Sequence, residues 1–190
     1  MIVSASRRTD IPAFYAEWLM NRLKAGTCQV ANPRRPDQVG RIDLTPDKVS
    51  AIVFWTRNPV PLMPHLDVLD RMGYRYYFLF TVTSYGLPWE PRQPAYNEQK
   101  NTFRALSRWI GADKVIWRYD PILLTREMDG AWHRDAFGRI AADLSGYTRR
   151  VIVSAVDDYA RIAARIKAAE QEAGDELEQE VDALSLRMLA

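Results

Sequence analysis

The amino-acid sequence predicts an α/β protein built on a parallel, (β/α)-barrel-like sheet that is incomplete, with about five βα units and a helical C-terminal tail. Three observations predict it. Five short apolar runs rich in β-branched and aromatic residues alternate with segments of helical periodicity. The first strand-to-helix turn, Ser6-Arg7-Arg8-Thr9-Asp10, has no glycine, whereas an open nucleotide-binding sheet would carry a glycine-rich loop there. A complete eight-unit barrel needs roughly 250 residues, and this chain has 190.

The predicted strands are 2–5, 51–55, 74–82, 114–117 and 150–155, each bounded by turn residues. The first helix follows Asp10 as its cap, has Pro12 in its first turn and stops at Gly26. Its stripe is Ile11, Phe14, Tyr15, Trp18, Leu19 and Leu23. A second stripe, Leu62, His65, Leu66, Leu69 and Met72, ends at Gly73. A third runs from Tyr96 through Phe103, Leu106 and Ile110 to Gly111, and a fourth uses Ala136, Phe137, Ile140, Ala141 and Leu144 before Gly146. Beyond the fifth strand, Tyr159 to Met188 reads as one helix broken at Gly174-Asp175, or as two. Cys28–Ala31 and Val39–Leu44 flank a Pro- and Arg-rich turn and read as a small hairpin or a loop excursion. Residues 1–190 read as one partial barrel domain, with 157–190 as its acidic tail.

Composition narrows the functional classes. With 47% apolar and 26% charged residues the chain is an ordinary globular one. One cysteine, Cys28, excludes an internal disulfide, a four-thiolate zinc site and a three-cysteine iron–sulfur site built from this chain alone. No segment approaches 18 uncharged apolar residues, so no membrane span is expected and a cytoplasmic location is. The net charge is +2, yet residues 1–156 carry 22 basic against 15 acidic residues, while 157–190 carry 4 against 9. Arginine supplies 21 of the 26 basic side chains, suited to bidentate recognition of carboxylates and phosphates.

In a parallel sheet the site lies at the carboxyl ends of the strands, where successive turns converge. Those turns supply Arg7, Arg8 and Asp10; Arg57 and Asn58; Thr83; Arg118, Tyr119 and Asp120; and Asp157. Arg7, Arg8, Arg57, Asn58, Thr83, Arg118 and Tyr119 are the candidate substrate-binding residues. Asp10, Asp120 and Asp157 are the candidate acids and bases. The same residues also admit a structural reading, with Asp10 as a helix cap, Asp120 initiating a turn at Pro121 and the arginines as partners of these carboxylates. No metal site is expected, because His65 and His133 both fall in helical patterns as half-exposed residues. Cys28 reads as a small buried hydrophobe. Of the six tryptophans, Trp18 and Trp109 read as core residues on helix faces, Trp55 and Trp117 lie in strands, and Trp89 is the exposed candidate.

At these same turns the sequence resembles a bacterial family known as domain of unknown function 1848. The matching stretches are Ser4 to Ala13, Val53 to Pro59, Phe80 to Gly86 and Val115 to Leu123, with Ser154 to Asp157 a diverged copy of a fifth. The resemblance implies kinship with the radical S-adenosylmethionine barrels, since members typically continue to a C-terminal cysteine cluster similar to one that holds a [4Fe–4S] centre. The cluster and S-adenosylmethionine are thus implied for full-length members only. This chain has no such cysteines, so it is expected to be a truncated product, to be completed by another chain, or to work without a cluster.

The leading expectation is the N-terminal part of a radical-SAM-like barrel that binds an anionic or polar small molecule at its strand ends. A cluster-independent hydrolase or lyase using Asp and Arg is the alternative enzyme. A nucleic-acid or phosphate-binding module is the alternative of a different class. An incomplete barrel leaves a sheet edge open, so association with another copy or with a missing C-terminal half is also expected.

Overall fold

The computed structural model describes residues 1–6, 9–32, 34–155 and 163–177. The chain folds as two compact units, Met1–Phe80 and Thr81–Ala190.

The first unit opens with strand β1 (Ile2–Ala5), helices α1 (Ile11–Phe14) and α2 (Ala16–Lys24), and strands β2 (Thr27–Asn32), β3 (Arg35–Asp43) and β4 (Ala51–Thr56). A 3₁₀ turn (Met63–His65), α3 (Leu66–Arg71) and β5 (Tyr76–Thr81) follow. β1 runs parallel to β4 with Ile2 opposite Ala51, and β4 runs parallel to β5 with Phe54 opposite Phe78. Alternation along β4 sends Ile52, Phe54 and Thr56 to one buried face. There the Phe54 ring meets Tyr76 and Phe78 at centroid distances of 6.0 and 4.9 Å. The two fully buried rings of this layer, Phe54 and Phe78, stabilise the unit by burial of roughly 1.5–3 kcal/mol each.

The predicted first helix is divided at Tyr15, whose φ of −136° and ψ of 28° leave the helical basin. The buried stripe of α2 is Ala16, Leu19, Met20 and Leu23, an i, i+3, i+4, i+7 set. Trp18 lies about 100° around the helix from Leu19. It is therefore 45% exposed and is no core residue, contrary to the expectation. Trp109 is likewise exposed, and Trp89 is half-buried. The expected excursion is an antiparallel hairpin, β2 on β3, with Gln29 opposite Arg41. Gly26 starts it with φ +67°, and a Cβ there would sit 3.2 Å from Thr45 Cγ2, so both backbone and space favour glycine. Cys28 is buried, as expected.

The second unit contains α4 (Tyr96–Ile110), β6 (Val115–Ile122), α5 (Gly130–Leu144), β7 (Val151–Ala155) and α6 (Ala163–Ala173). β6 and β7 are parallel, with Trp117 opposite Val151 and Tyr119 opposite Val153. β6 runs five residues beyond the predicted end at Trp117, through the cis Asp120–Pro121 bond, where its register with β7 shifts. Asp129 caps α5 by accepting from the Trp132 amide at 2.8 Å, so this helix starts a turn and a half before the predicted stripe. α4 and α5 are tied by Asp143, whose carboxylate accepts from the Tyr96 hydroxyl at 2.6 Å and pairs with Lys100 and Arg104.

After α6, Gly174 ends the helix and the next residues dock on the loop before α5. Leu177 forms an antiparallel bridge with Thr125, and the buried Asp175 accepts from the amides of Arg126 and Glu127, each at 3.2 Å. Of the expected acidic tail, 163–177 is described; the remainder, Asp157 included, lies outside the described residues.

The chain is thus mixed α/β with parallel strands. Among the described residues β1 pairs only with β4 and β7 only with β6, so each is an edge strand. No helix among the described residues is long and apolar enough to cross a membrane.

Candidate functional site

Each unit carries its own cluster of candidate residues at the carboxyl ends of its strands. In the first, Asp10 is the hub. Its Oδ1 accepts from the Ala13 amide at 3.0 Å, capping α1. Its Oδ2 accepts from the Thr56 hydroxyl at 3.0 Å and the Arg57 amide at 2.8 Å, gripping the end of β4. Thr56 Oγ1 in turn accepts from the Asn58 amide, and Asn58 Oδ1 accepts from the Val60 amide at 3.2 Å. Both oxygens of Asp10 are therefore occupied by protein donors. Burial still raises the Asp10 carboxyl above its ordinary value, outweighing the hydrogen bonds from Arg57, Thr56 and Ala13 that act the other way. Just before it, Ser6 holds a φ of +146°, which costs a non-glycine residue strain, while its Oγ accepts from the Ile11 amide at 3.2 Å. Arg7 and Arg8 lie outside the described residues.

In the second unit the strand period decides the layout. Trp117 and Tyr119 point to one face of β6, and Arg118 and Asp120 to the other. The first face is an aromatic layer against α5. Trp117 stacks on Phe137 at 4.7 Å, and Tyr119 meets Phe137 edge-on at 5.4 Å. On the opposite face Arg118 and Asp120 form an ion pair, their side chains 18% and 14% exposed. At the preceding strand end the buried Thr83 donates to Glu90 Oε2 at 2.6 Å.

Behind the charged pair lies a hydrogen-bonded chain that the sequence pattern does not reveal. The helical pattern places His133 at a half-exposed position; it is fully buried. Its Nε2 lies 2.9 Å from the Leu123 carbonyl, which can only accept, so Nε2 carries the proton. Nδ1 is then an acceptor, and the Tyr119 hydroxyl donates to it at 2.7 Å. The Tyr85 hydroxyl donates to the Pro121 carbonyl at 2.6 Å and accepts from the Leu123 amide at 3.2 Å, and its ring stacks on Trp132 at 5.8 Å. The chain thus holds the backbone from Pro121 to Leu123. Burial pushes the Tyr85 and Tyr119 hydroxyls above the ordinary phenol value. Burial also pushes the His133 imidazole below the ordinary histidine value, against the opposing pull of the Leu123 carbonyl and Asp129.

Of the predicted residues, the structure brings together Asp10 with the Arg57 backbone and, through Thr56, with Asn58. It also brings together Arg118 with Asp120. Tyr119 is fully buried in the aromatic layer with its hydroxyl on His133, and Asp157 lies outside the described residues. Glu90 and His133 are absent from the predicted set. The signal for His133 is present in the sequence, since 133, 136, 140 and 144 share one helix face and all four are buried. Among the described residues no group of three or more His, Cys, Asp or Glu side chains could hold a metal ion.

Neither the curated proteins nor the solved structures provide a match to this chain. The family model described as Domain of unknown function (DUF1848) matches residues 2–189, nearly the full length. With that span covered, the chain belongs to the DUF1848 family.

Proposed function

We propose that this DUF1848 chain is a portion of a radical-SAM-like (β/α) barrel, located in the cytoplasm, whose strand ends bind an anionic or polar small molecule. The observation that carries this reading is the segregation along β6, with Trp117 and Tyr119 packed against α5 and Arg118 and Asp120 on the face away from that helix. A barrel wall has this arrangement, helices outside and the reacting groups inside. A partly buried guanidinium at a strand end supplies a planar fork for a carboxylate or phosphate. Asp120 holds that fork in place and is the acid or base nearest to a bound anion.

The other candidates hold their own turns in place. In the first unit Asp10 fixes the Arg57-Asn58 turn with bonds to the Thr56 hydroxyl and the Arg57 amide. Tyr119 and Thr83 act through His133 and Glu90. Arg7, Arg8 and Asp157 belong to the same set of turns by sequence. The radical-SAM cofactors do not fit this chain alone, because a [4Fe–4S] cluster needs three thiolates and the sequence holds Cys28 only, buried in the hairpin. No step is derived through them, and completion by a second copy or a partner half is part of the proposal.

Calorimetric titration with succinate and with inorganic phosphate tests the reading. The wild-type protein binds at least one of the two, and Arg118→Ala weakens that binding by about tenfold or more, the worth of one charge-assisted pair. Asp120→Asn tightens it, because one carboxylate competing for the guanidinium is removed. Equal affinity in wild type and Arg118→Ala, or no binding of either anion, overturns the assignment.

A further inference from the structure

We infer that a second binding site lies in the first unit, between α2 and the β2–β3 hairpin, and that it takes a nucleotide: an aromatic base carrying a phosphate. A cleft of about 470 Å³ is lined by Trp18, Arg22, Thr27, Cys28, Gln29 and Arg41. These residues are distinct from every strand-end candidate above. The lining holds two guanidinium groups and no carboxylate.

The chemistry of the lining is specific. Trp18 and Arg22 are four residues apart on α2 and so share one face of the helix. The Trp18 indole is large, apolar and 45% exposed, the condition in which an aromatic face stacks on a base. Arg22 is half-buried in this lining; its Nε is shut off from solvent without a hydrogen-bond partner, so a ligand in the cleft meets the guanidinium through its terminal nitrogens. Across the cleft the Arg41 Nε donates to Thr27 Oγ1 at 3.0 Å, and Thr27 Oγ1 donates to the Ile42 carbonyl at 3.1 Å. That bond anchors one edge of the Arg41 guanidinium while its outer nitrogens extend past it. Gln29, opposite Arg41 in the hairpin register, adds an amide able to donate and accept at a base edge. The buried thiol of Cys28 contributes apolar floor.

A phosphate would bridge the Arg22 and Arg41 guanidinium groups, while the base lies on Trp18. Inorganic anions lack the stacking part and nucleosides lack the charge. Both parts come either from a free nucleotide or from one nucleotide of a single strand. In the second case the exposed Arg34 and Arg35 at the hairpin turn would meet neighbouring phosphates.

Calorimetric titrations with AMP, adenosine, inorganic phosphate and a four-nucleotide deoxyadenosine strand test this, in wild-type protein and in Arg118→Ala protein. AMP binds Arg118→Ala protein, in which the strand-end anion site is removed, and there adenosine and phosphate each bind at least tenfold more weakly than AMP. Trp18→Ala and Arg22→Ala each weaken AMP about tenfold or more, and Arg22→Lys, which keeps charge but loses the planar fork, recovers only part. Circular dichroism checks that these variants are folded. If Arg22→Ala unfolds, Arg22→Lys and Trp18→Ala carry the test. Tighter binding of the strand than of AMP, lost on Arg34→Ala, identifies a polymer as the source, and equal binding a free nucleotide; both support the cleft. No AMP binding, AMP binding unchanged by Trp18→Ala and by the Arg22 variants, or AMP binding lost with Arg118→Ala overturns the inference.

Discussion

Replacing His133 by leucine tests whether the buried chain behind β6 is a working hydrogen-bonded unit or a set of incidental contacts. Leucine is close to the volume that imidazole fills, so the loss is chiefly that of two bonds. The Tyr119 hydroxyl, now 2.7 Å from Nδ1, loses its acceptor inside the aromatic layer, and the Leu123 carbonyl loses its 2.9 Å donor. A buried polar group left unsatisfied costs about 1–3 kcal/mol. The Leu123 carbonyl is only partly buried and recovers water, so the expected total is about 2–4 kcal/mol rather than the full double cost. Tyr119→Phe alone leaves Nδ1 without its donor and costs about 1–3 kcal/mol. In the double variant the hydroxyl that would have been orphaned is gone, so its loss falls short of the sum by about 1–3 kcal/mol. Urea unfolding followed by far-ultraviolet circular dichroism measures all four corners of the cycle. Additive losses within about 0.5 kcal/mol would show that the two groups do not communicate and would refute the chain.

Three further outcomes follow, one from the same histidine and two from carboxylates that hold backbone amides. His133 is held below its ordinary value, so the unfolded chain takes up its proton first as the pH falls. The stability that it contributes is complete above about pH 6.5 and is lost as the pH drops from there through its folded value; thermal melts show this slope and His133→Leu removes it. Asp10→Ala removes a helix cap and the grip on the β4 turn, lowering stability by about 1–3 kcal/mol in urea titration. Asp10→Asn keeps an acceptor oxygen for Ala13 and loses less, and equal losses would contradict the capping role. Asp175→Ala frees the Arg126 and Glu127 amides, so hydrogen exchange at those two positions accelerates at least tenfold while the amides of β6 keep their protection.

Legibility in the sequence follows the range of the interaction. The four-residue cap of Asp10 on Ala13 is readable, because it is local and has a known residue preference. The same carboxylate's hold on Thr56 and Arg57 is not, because those donors are 46 and 47 residues away and only the parallel pairing of β1 with β4 brings them near. Helix stripes predict which elements pack but not always which residues. The stripe expected on α2 is one position too wide, which puts Trp18 in the core when it belongs on the surface. On α5 the expected stripe begins at Ala136, although His133 continues it by one turn. Histidine's polarity argues for the surface, and Tyr119, which satisfies it from the neighbouring strand, cannot be seen from the helix alone.

The strand boundary at Trp117 has the larger consequence for function. An Asp-Pro pair ordinarily marks the end of a strand, since proline cannot donate to a ladder, so Arg118 to Asp120 read as a turn whose side chains could aim in any direction. With β6 continuing to Ile122, those residues come under the two-residue alternation instead. Tyr119 is then compelled into the layer beneath α5, and Arg118 and Asp120 are compelled onto one common face. Moving the boundary by five residues therefore changes two candidate binding residues and one candidate acid or base into a charged pair and the buried residue that supports its strand. The alternation holds through Asp120 and gives way at the register shift beyond Tyr119, where the carbonyls of Pro121 and Leu123 are bonded to Tyr85 and His133 and fix the strand end in place.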